Sequence, residues 1–152
     1  MKSGKLVIDL SRKLEKELKT FSKKIAVAGS IRRGERYPKD IDLVLIPKER
    51  VKLEDFMKKI GKFVEGGEHE STWKIEGVKV ELYYTNKEEW GAELLAYSGK
   101  KGSNIGLRSV AKRKGMKLNQ YGLFKDGRRL AGKTEKEIYE KLGRKYKKPE
   151  DR

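Results

Sequence analysis

The chain has 152 residues, with 39 Lys and Arg against 23 Asp and Glu and a formal net charge of +16. That length suits one compact domain or two small lobes and leaves no room for a third. A charge-rich surface explains abundant Lys and Glu but not their imbalance, which points to a polyanionic partner, nucleic acid or nucleotide ahead of an anionic membrane surface. With no cysteine, disulfides and thiolate metal sites are excluded, and any metal must be held by oxygen or by the single His69. The amino terminus carries no apolar signal core and no run reaches membrane-spanning length. A soluble, intracellular protein without a targeting signal or membrane partner is therefore expected.

In chain order, Leu6, Val7, Leu10, Leu14, Leu18 and Phe21 recur at helical spacing and predict an amphipathic helix over 4–22. "IAVAG" (25–29) reads as a short buried strand, and "DIDLVLIP" (40–47) as a second strand ended by Pro47. Leu53, Phe56, Met57, Ile60 and Phe63 repeat the helical pattern over 52–64. "STWKIEGVKVELYYT" (71–85) predicts a hairpin turning at Glu76 and Gly77, its second arm alternating Val78, Val80 and Leu82 against Lys79, Glu81 and Tyr83. A helix is expected around 87–97, then the glycine-punctuated "SGKKGSNIG" (98–106) and a basic helix over 104–114. "KLNQYGLF" and "RRLAG" flank Asp126-Gly127, a strong hairpin signal. Thr134 and Glu137 form a capping box before a last short helix, and the basic tail "RKYKKPEDR" reads as partly disordered. Trp73 and Trp90 are expected in two cores, and His69 in a loop.

Asp40 and Asp42 stand at i and i+2 of a strand, so their carboxylates point the same way. Like charges that close repel, and a divalent cation with hard oxygen ligands, Mg²⁺ above all, relieves them. The turn just before them supplies backbone N–H groups at Gly29 and Ser30, a hydroxyl, and the guanidinium groups of Arg32 and Arg33, all suited to phosphate oxygens. The plainer alternative is a solvated strand edge whose aspartates pair with Arg32, Arg33 or Arg36. No phosphate-binding G-x-x-x-x-G-K-[ST] loop occurs.

"GSIRRGERYPKDIDLVL" (29–45) resembles the G-S, R-R-G, D-x-D signature of the nucleotidyltransferase superfamily. "AYSGKKGSNIGLRSVAKRKGMKLNQYGLF" (96–124) narrows this, because it is similar to the thumb of family X DNA polymerases through Tyr97, Ser98, Gly99, Asn104, Arg108, Leu118, Asn119, Tyr121 and Gly122. The resemblance spans nearly the whole chain and implies an α+β fold. In it a nucleotidyltransferase palm (1–90), a mixed or antiparallel sheet with flanking helices, precedes a small α+β thumb (91–152), with no lyase or fingers lobe.

It further implies a monomeric, Mg²⁺-dependent enzyme, with Mn²⁺ as substitute, that fills gaps in DNA by a two-metal mechanism. Asp40 and Asp42 would be metal ligands, and the family's spacing places the third carboxylate at Glu81, where Asp is usual. Gly29, Ser30 and Arg33 would hold the β and γ phosphates. Asn104, with Tyr97 and Gly99 beside it, would meet the incoming nucleotide, and Arg108 the templating one. Asn104 and Arg108 are four apart and face one side of a helix; a capping Asn and a solvated Arg would look the same. Without extra lobes, grip on gapped or primer-template DNA would rest on basic charge, with Lys112, Arg113, Lys114 and Lys117 as candidates. The small Ala96 before Tyr97 predicts that ribonucleotides are accepted alongside deoxyribonucleotides. Two other readings stand beside this one. The first is a nucleotidyltransferase acting on RNA ends or protein, and the second is a non-catalytic KH-like RNA-binding module built on Gly99–Gly102.

Overall fold

A computed structural model describes residues 3–152. The chain divides into two units, one ending at Thr85 and one spanning Asn86–Arg152. The first two residues of the expected palm lie outside the described residues.

In the first unit, helix α1 (Gly4–Lys19) starts at Ser3, whose hydroxyl accepts a hydrogen bond from Leu6 N at 3.3 Å and so satisfies one of the helix's unpaired donors. Val7, Leu10, Leu14 and Leu18 are buried. Leu6, counted in the same apolar pattern, is 53% exposed. The helix stops short of residue 22 because Ser22 already opens strand β1 (Ser22–Val27). This strand lies at a sheet edge and is only half-buried, in contrast to the buried strand expected. A short helix α2 (Gly29–Arg32) leads to β2 (Ile41–Pro47) and α3 (Arg50–Ile60).

The sequence pattern carries α3 on to Phe63, but the helix ends three residues earlier. A Cβ at Gly61 would come within 2.7 Å of both the Lys74 carbonyl and an Ile75 methylene, so the chain passes flat against the neighbouring strand. Phe63 instead belongs to an exposed edge strand, β3 (Lys62–Gly66), opposite Trp73 in β4 (Glu70–Ile75), with the two rings edge to face at 5.2 Å. β4 turns through Glu76 and Gly77, both at positive φ, into β5 (Val78–Tyr84), which is the expected hairpin.

The five strands run in the order β1-β2-β5-β4-β3. β2 and β5 are parallel and the other pairs antiparallel, so the sheet is mixed, one of the two forms the resemblance implied. Strand alternation then assigns the faces. Leu43 and Leu45 of β2 and Val78, Val80 and Leu82 of β5 join Leu10, Leu14, Leu53, Met57 and Trp73 in one core. Asp42 and Val44, with Lys79, Glu81 and Tyr83, occupy the opposite face.

The second unit begins with α4 (Trp90–Ser98) and α5 (Lys101–Arg113). The glycine-punctuated stretch is therefore mostly helix, and only Gly99 and Lys100 link the two. A three-stranded antiparallel sheet follows, β6 (Lys117–Asn119), β7 (Gly122–Lys125) and β8 (Arg128–Ala131), with Asp126-Gly127 at positive φ in the second turn. Helix α6 (Glu135–Lys141) is capped by Thr134, whose hydroxyl accepts from Glu137 N at 3.1 Å. Ala92, Leu95, Leu107, Val110, Leu123 and Ile138 form its core. Gly91 is required where α4 crosses the start of α6, since a Cβ there would collide with the Thr134 backbone. The tail is not the loose segment the sequence suggested. It ends in a 3₁₀ turn (Pro149–Asp151), and the Arg152 guanidinium is fully buried, paired with Glu135 at 2.9 Å and lying over Tyr139 and Tyr146. No helix of the described residues is long and apolar enough to cross a membrane.

Candidate active site

β2 and β5 are neighbours in register, and Asp42 stands opposite Glu81. In parallel strands such partners project on the same side, so two carboxylates far apart in sequence lie next to each other. Between them comes Tyr83, two residues beyond Glu81 on the same face. Its hydroxyl donates to Asp42 Oδ1 at 3.3 Å and to Glu81 Oε2. Lys79, two residues before Glu81, pairs with Glu81 Oε1 at 2.8 Å. Asp40 is exposed, just ahead of the first residue of β2.

The charges of this group are unequally held. Burial, and after it the charge of Glu81, raises the Asp42 carboxyl from 3.8 to about 6, against the pull of the Tyr83 hydrogen bond. Burial also acts on Glu81, but the bonds from Lys79 and Tyr83 outweigh it and hold that carboxyl below the usual range. Burial and the Glu81 bond push the Tyr83 hydroxyl far above its ordinary value, so it stays protonated and remains a donor.

The turn before β2 is bound to the same place. Ala28 N donates to the Asp42 carbonyl at 2.8 Å, and Gly29 opens α2 with φ of +63°. A Cβ at Gly29 would collide with Asp42 Oδ2, so the position requires glycine for space as well as for backbone conformation. Ser30 and Arg32 follow on α2 and Arg33 just past its end, all three half-buried, with Arg33 paired to Glu35. The first unit thus brings Gly29, Asp42 and Glu81 together, with Asp40 at the margin. Lys79 and Tyr83 escaped the motif reading. Their signal was strand alternation, because residues two before and two after Glu81 must share its face.

In the second unit, Asn104 lies near the start of α5 and turns toward the end of α4. Its Nδ2 donates to the Leu95 and Ala96 carbonyls at 3.3 and 3.0 Å, while its Oδ1 is buried with no partner among the described residues. Asn104 and Arg108 line one cavity with Ala96, Leu118 and Asn119. Asn119 Oδ1 accepts from Tyr121 N at 2.8 Å, which shapes the β6–β7 turn. Gly99 ends α4 at φ 72°, after a half-buried Tyr97. Lys112, Arg113 and Lys117 are exposed, whereas the Lys114 ammonium donates to the Leu142 carbonyl at 2.8 Å near the end of α6. Trp73 is fully buried and Trp90 nearly so, and His69 is an exposed loop residue.

A glycine-serine turn thus packs on a strand aspartate, with a second carboxylate on the adjoining strand. The model of the DNA polymerase beta thumb matches residues 93–152. Along 97% of its length the chain is 32% identical to the repair DNA polymerase X of African swine fever virus, isolate Warthog/Namibia/Wart80/1980, covering 95% of that protein. It is also 32% identical to the same enzyme from the Badajoz 1971 Vero-adapted strain, over 89% of the chain and 84% of the relative. DNA polymerase IV of Saccharomyces cerevisiae is 36% identical over 49% of the chain, which covers 13% of that much longer protein. The chain belongs to the family X DNA polymerases, a family of DNA-directed nucleotidyltransferases.

Proposed function

We propose that this protein is a gap-filling repair polymerase, in which residues 1–90 act as the catalytic palm and residues 91–152 as a thumb that holds nucleotide and DNA. The observation that carries the reading is the register of Asp42 and Glu81 on parallel neighbouring strands, with Gly29 pressed against Asp42. The donor set fits Mg²⁺ or Mn²⁺, since the oxygens are hard and the mutual repulsion of Asp42 and Glu81 is relieved by a cation. Among the described residues no three acidic or histidine side chains are yet gathered into a metal cluster. Asp42 and Glu81 would hold the metal together with Asp40, which has to turn from solvent toward the pair. Bound there, divalent cations supply charge neutralisation and lower the pKa of the primer 3′ hydroxyl that attacks the α phosphate.

The protein's own share of the reaction is placement. Gly29, Ser30, Arg32 and Arg33 bind the β and γ phosphates and receive the departing pyrophosphate. Tyr97, Gly99 and Asn104 seat the nucleotide. Arg108 contacts the templating nucleotide, and Lys112, Arg113, Lys114 and Lys117 neutralise DNA phosphates, the Lys114 ammonium having donors to spare beside its bond to the Leu142 carbonyl. Neither a transferase for RNA ends or protein nor a KH-like module gives the thumb match over 93–152 a purpose.

Single-nucleotide insertion tests the reading, using one-nucleotide-gapped DNA, open primer-template and single-stranded RNA with each deoxy and ribo triphosphate. The expected result is templated insertion on gapped DNA, with deoxy preferred over ribo by less than about a thousandfold, ~4 kcal/mol. Transfer to RNA alone, or none to DNA, overturns it.

A further inference from the structure

On the face it shares with Asp42, β5 presents Lys79, Glu81 and Tyr83 in succession. Lys79 and Tyr83 both bond Glu81, but from different sides. The Lys79 side chain is 53% exposed and answers Glu81 from solvent, whereas Tyr83 is 7% exposed and reaches the acids from within the protein. One phenolic proton faces two anionic acceptors, Asp42 Oδ1 and Glu81 Oε2. Without a shared donor, two neighbouring carboxylates repel and rotate apart, which is the wrong geometry for ligands of one ion. Each carboxylate oxygen accepts more than one bond, so the hydroxyl leaves both acids able to bind a cation from the open side.

We propose that Tyr83 is a positioning residue, whose hydroxyl holds Asp42 and Glu81 convergent and thereby sets the enzyme's affinity for its divalent metal. This rests on the reading of those two acids as metal ligands. A donor placed behind metal ligands in this way commonly controls affinity by 10–100-fold. Ring packing alone does not require the hydroxyl, since Phe fills the same space. The adjacent Tyr84 shows the contrast. Its hydroxyl lies on the other face of β5, bonded to Ser71 at 2.7 Å and Glu54 at 2.6 Å, with Arg50 over its ring at 4.1 Å, and it serves a structural network away from the acids.

The test compares the parent with Tyr83→Phe, Tyr83→His and Tyr84→Phe in three measurements. These are Mn²⁺ binding by electron paramagnetic resonance, the Mg²⁺ dependence of the thermal midpoint, and the Mg²⁺ dependence of single-nucleotide insertion. Tyr83→Phe is expected to weaken metal binding about tenfold or more in all three while the rate at saturating metal falls much less. Tyr83→His, which keeps a ring donor, should recover part of the affinity. Tyr84→Phe should lower the melting temperature and leave metal dependence as in the parent. Unchanged metal affinity in both Tyr83 variants overturns the proposal, and so does tighter binding, which would make the hydroxyl a competitor of the ion. A parent indifferent to metal removes this proposal together with the metal-site reading. A parent that binds metal and extends primers while the Tyr83 variants match it removes this proposal alone.

Discussion

Asp42→Asn should inactivate the enzyme and at the same time make the metal-free protein more stable. The Asp42 carboxyl sits at about 6 in the folded chain against an ordinary 3.8, because burial and Glu81 disfavour its charge. The native state therefore binds this proton more tightly than the unfolded chain does. Below about 4 the acid is neutral in both states and costs nothing. As pH rises toward 6 the unfolded chain ionises freely while the folded one resists, and stability is lost. Above 6 the penalty is complete. At about 1.4 kcal/mol per pH unit, the rise from 3.8 to about 6 amounts to about 3 kcal/mol. An amide in place of the acid keeps an acceptor for Tyr83 but is itself polar and half-buried, so the net gain expected at pH 8 is about 1–2 kcal/mol. For a chain of this size that is a rise of roughly 3–8 °C in melting temperature. Denaturant melts of both proteins in EDTA at pH 4 and pH 8 decide the matter. The variant should gain at pH 8 only, and Mg²⁺ should stabilise the parent and not the variant. A variant less stable than the parent at pH 8, or equally shifted at both pH values, refutes the argument, as does normal nucleotide insertion by the variant.

Glu81→Gln should cost several orders of magnitude in insertion rate with little loss of nucleotide affinity, and Glu81→Asp should retain activity with an altered preference between Mg²⁺ and Mn²⁺. A Gln variant kinetically equal to the parent would show that Glu81 is no ligand. Gly29→Ala should lose activity and about 1–3 kcal/mol of stability, because the new Cβ meets Asp42 Oδ2 and the residue must keep φ near +63°; an active variant with an unchanged melting temperature would contradict the packing. DNA affinity should fall steeply with salt, with a log-log slope of magnitude about 4–8 as that many phosphates are neutralised, and a flat response in a filter or anisotropy titration would point to a different substrate.

Much of this enzyme is legible from local sequence because its signals are local. The G-S turn and the aspartates lie within one short stretch, and the Glu76-Gly77 and Asp126-Gly127 turns declare their hairpins through residues that accept positive φ. Helix faces at Leu10, Leu14 and Leu18 follow from periodicity alone, since that spacing has only one side to bury. The failures occur where a distant part of the chain decides. Phe63 fits the helical pattern of α3, yet the strand across from Gly61 stops the helix and recruits Phe63 to β3. The tail reads as partly disordered by composition, yet Glu135 and two tyrosine rings draw Arg152 inside. Spacing could nominate Glu81, but only the parallel pairing of β2 with β5 sets it beside Asp42 and lets Tyr83 reach both. That pairing joins strands separated by a helix and a hairpin, and its register is chosen by the core that Leu43, Leu45, Val80 and Leu82 build together on the opposite face.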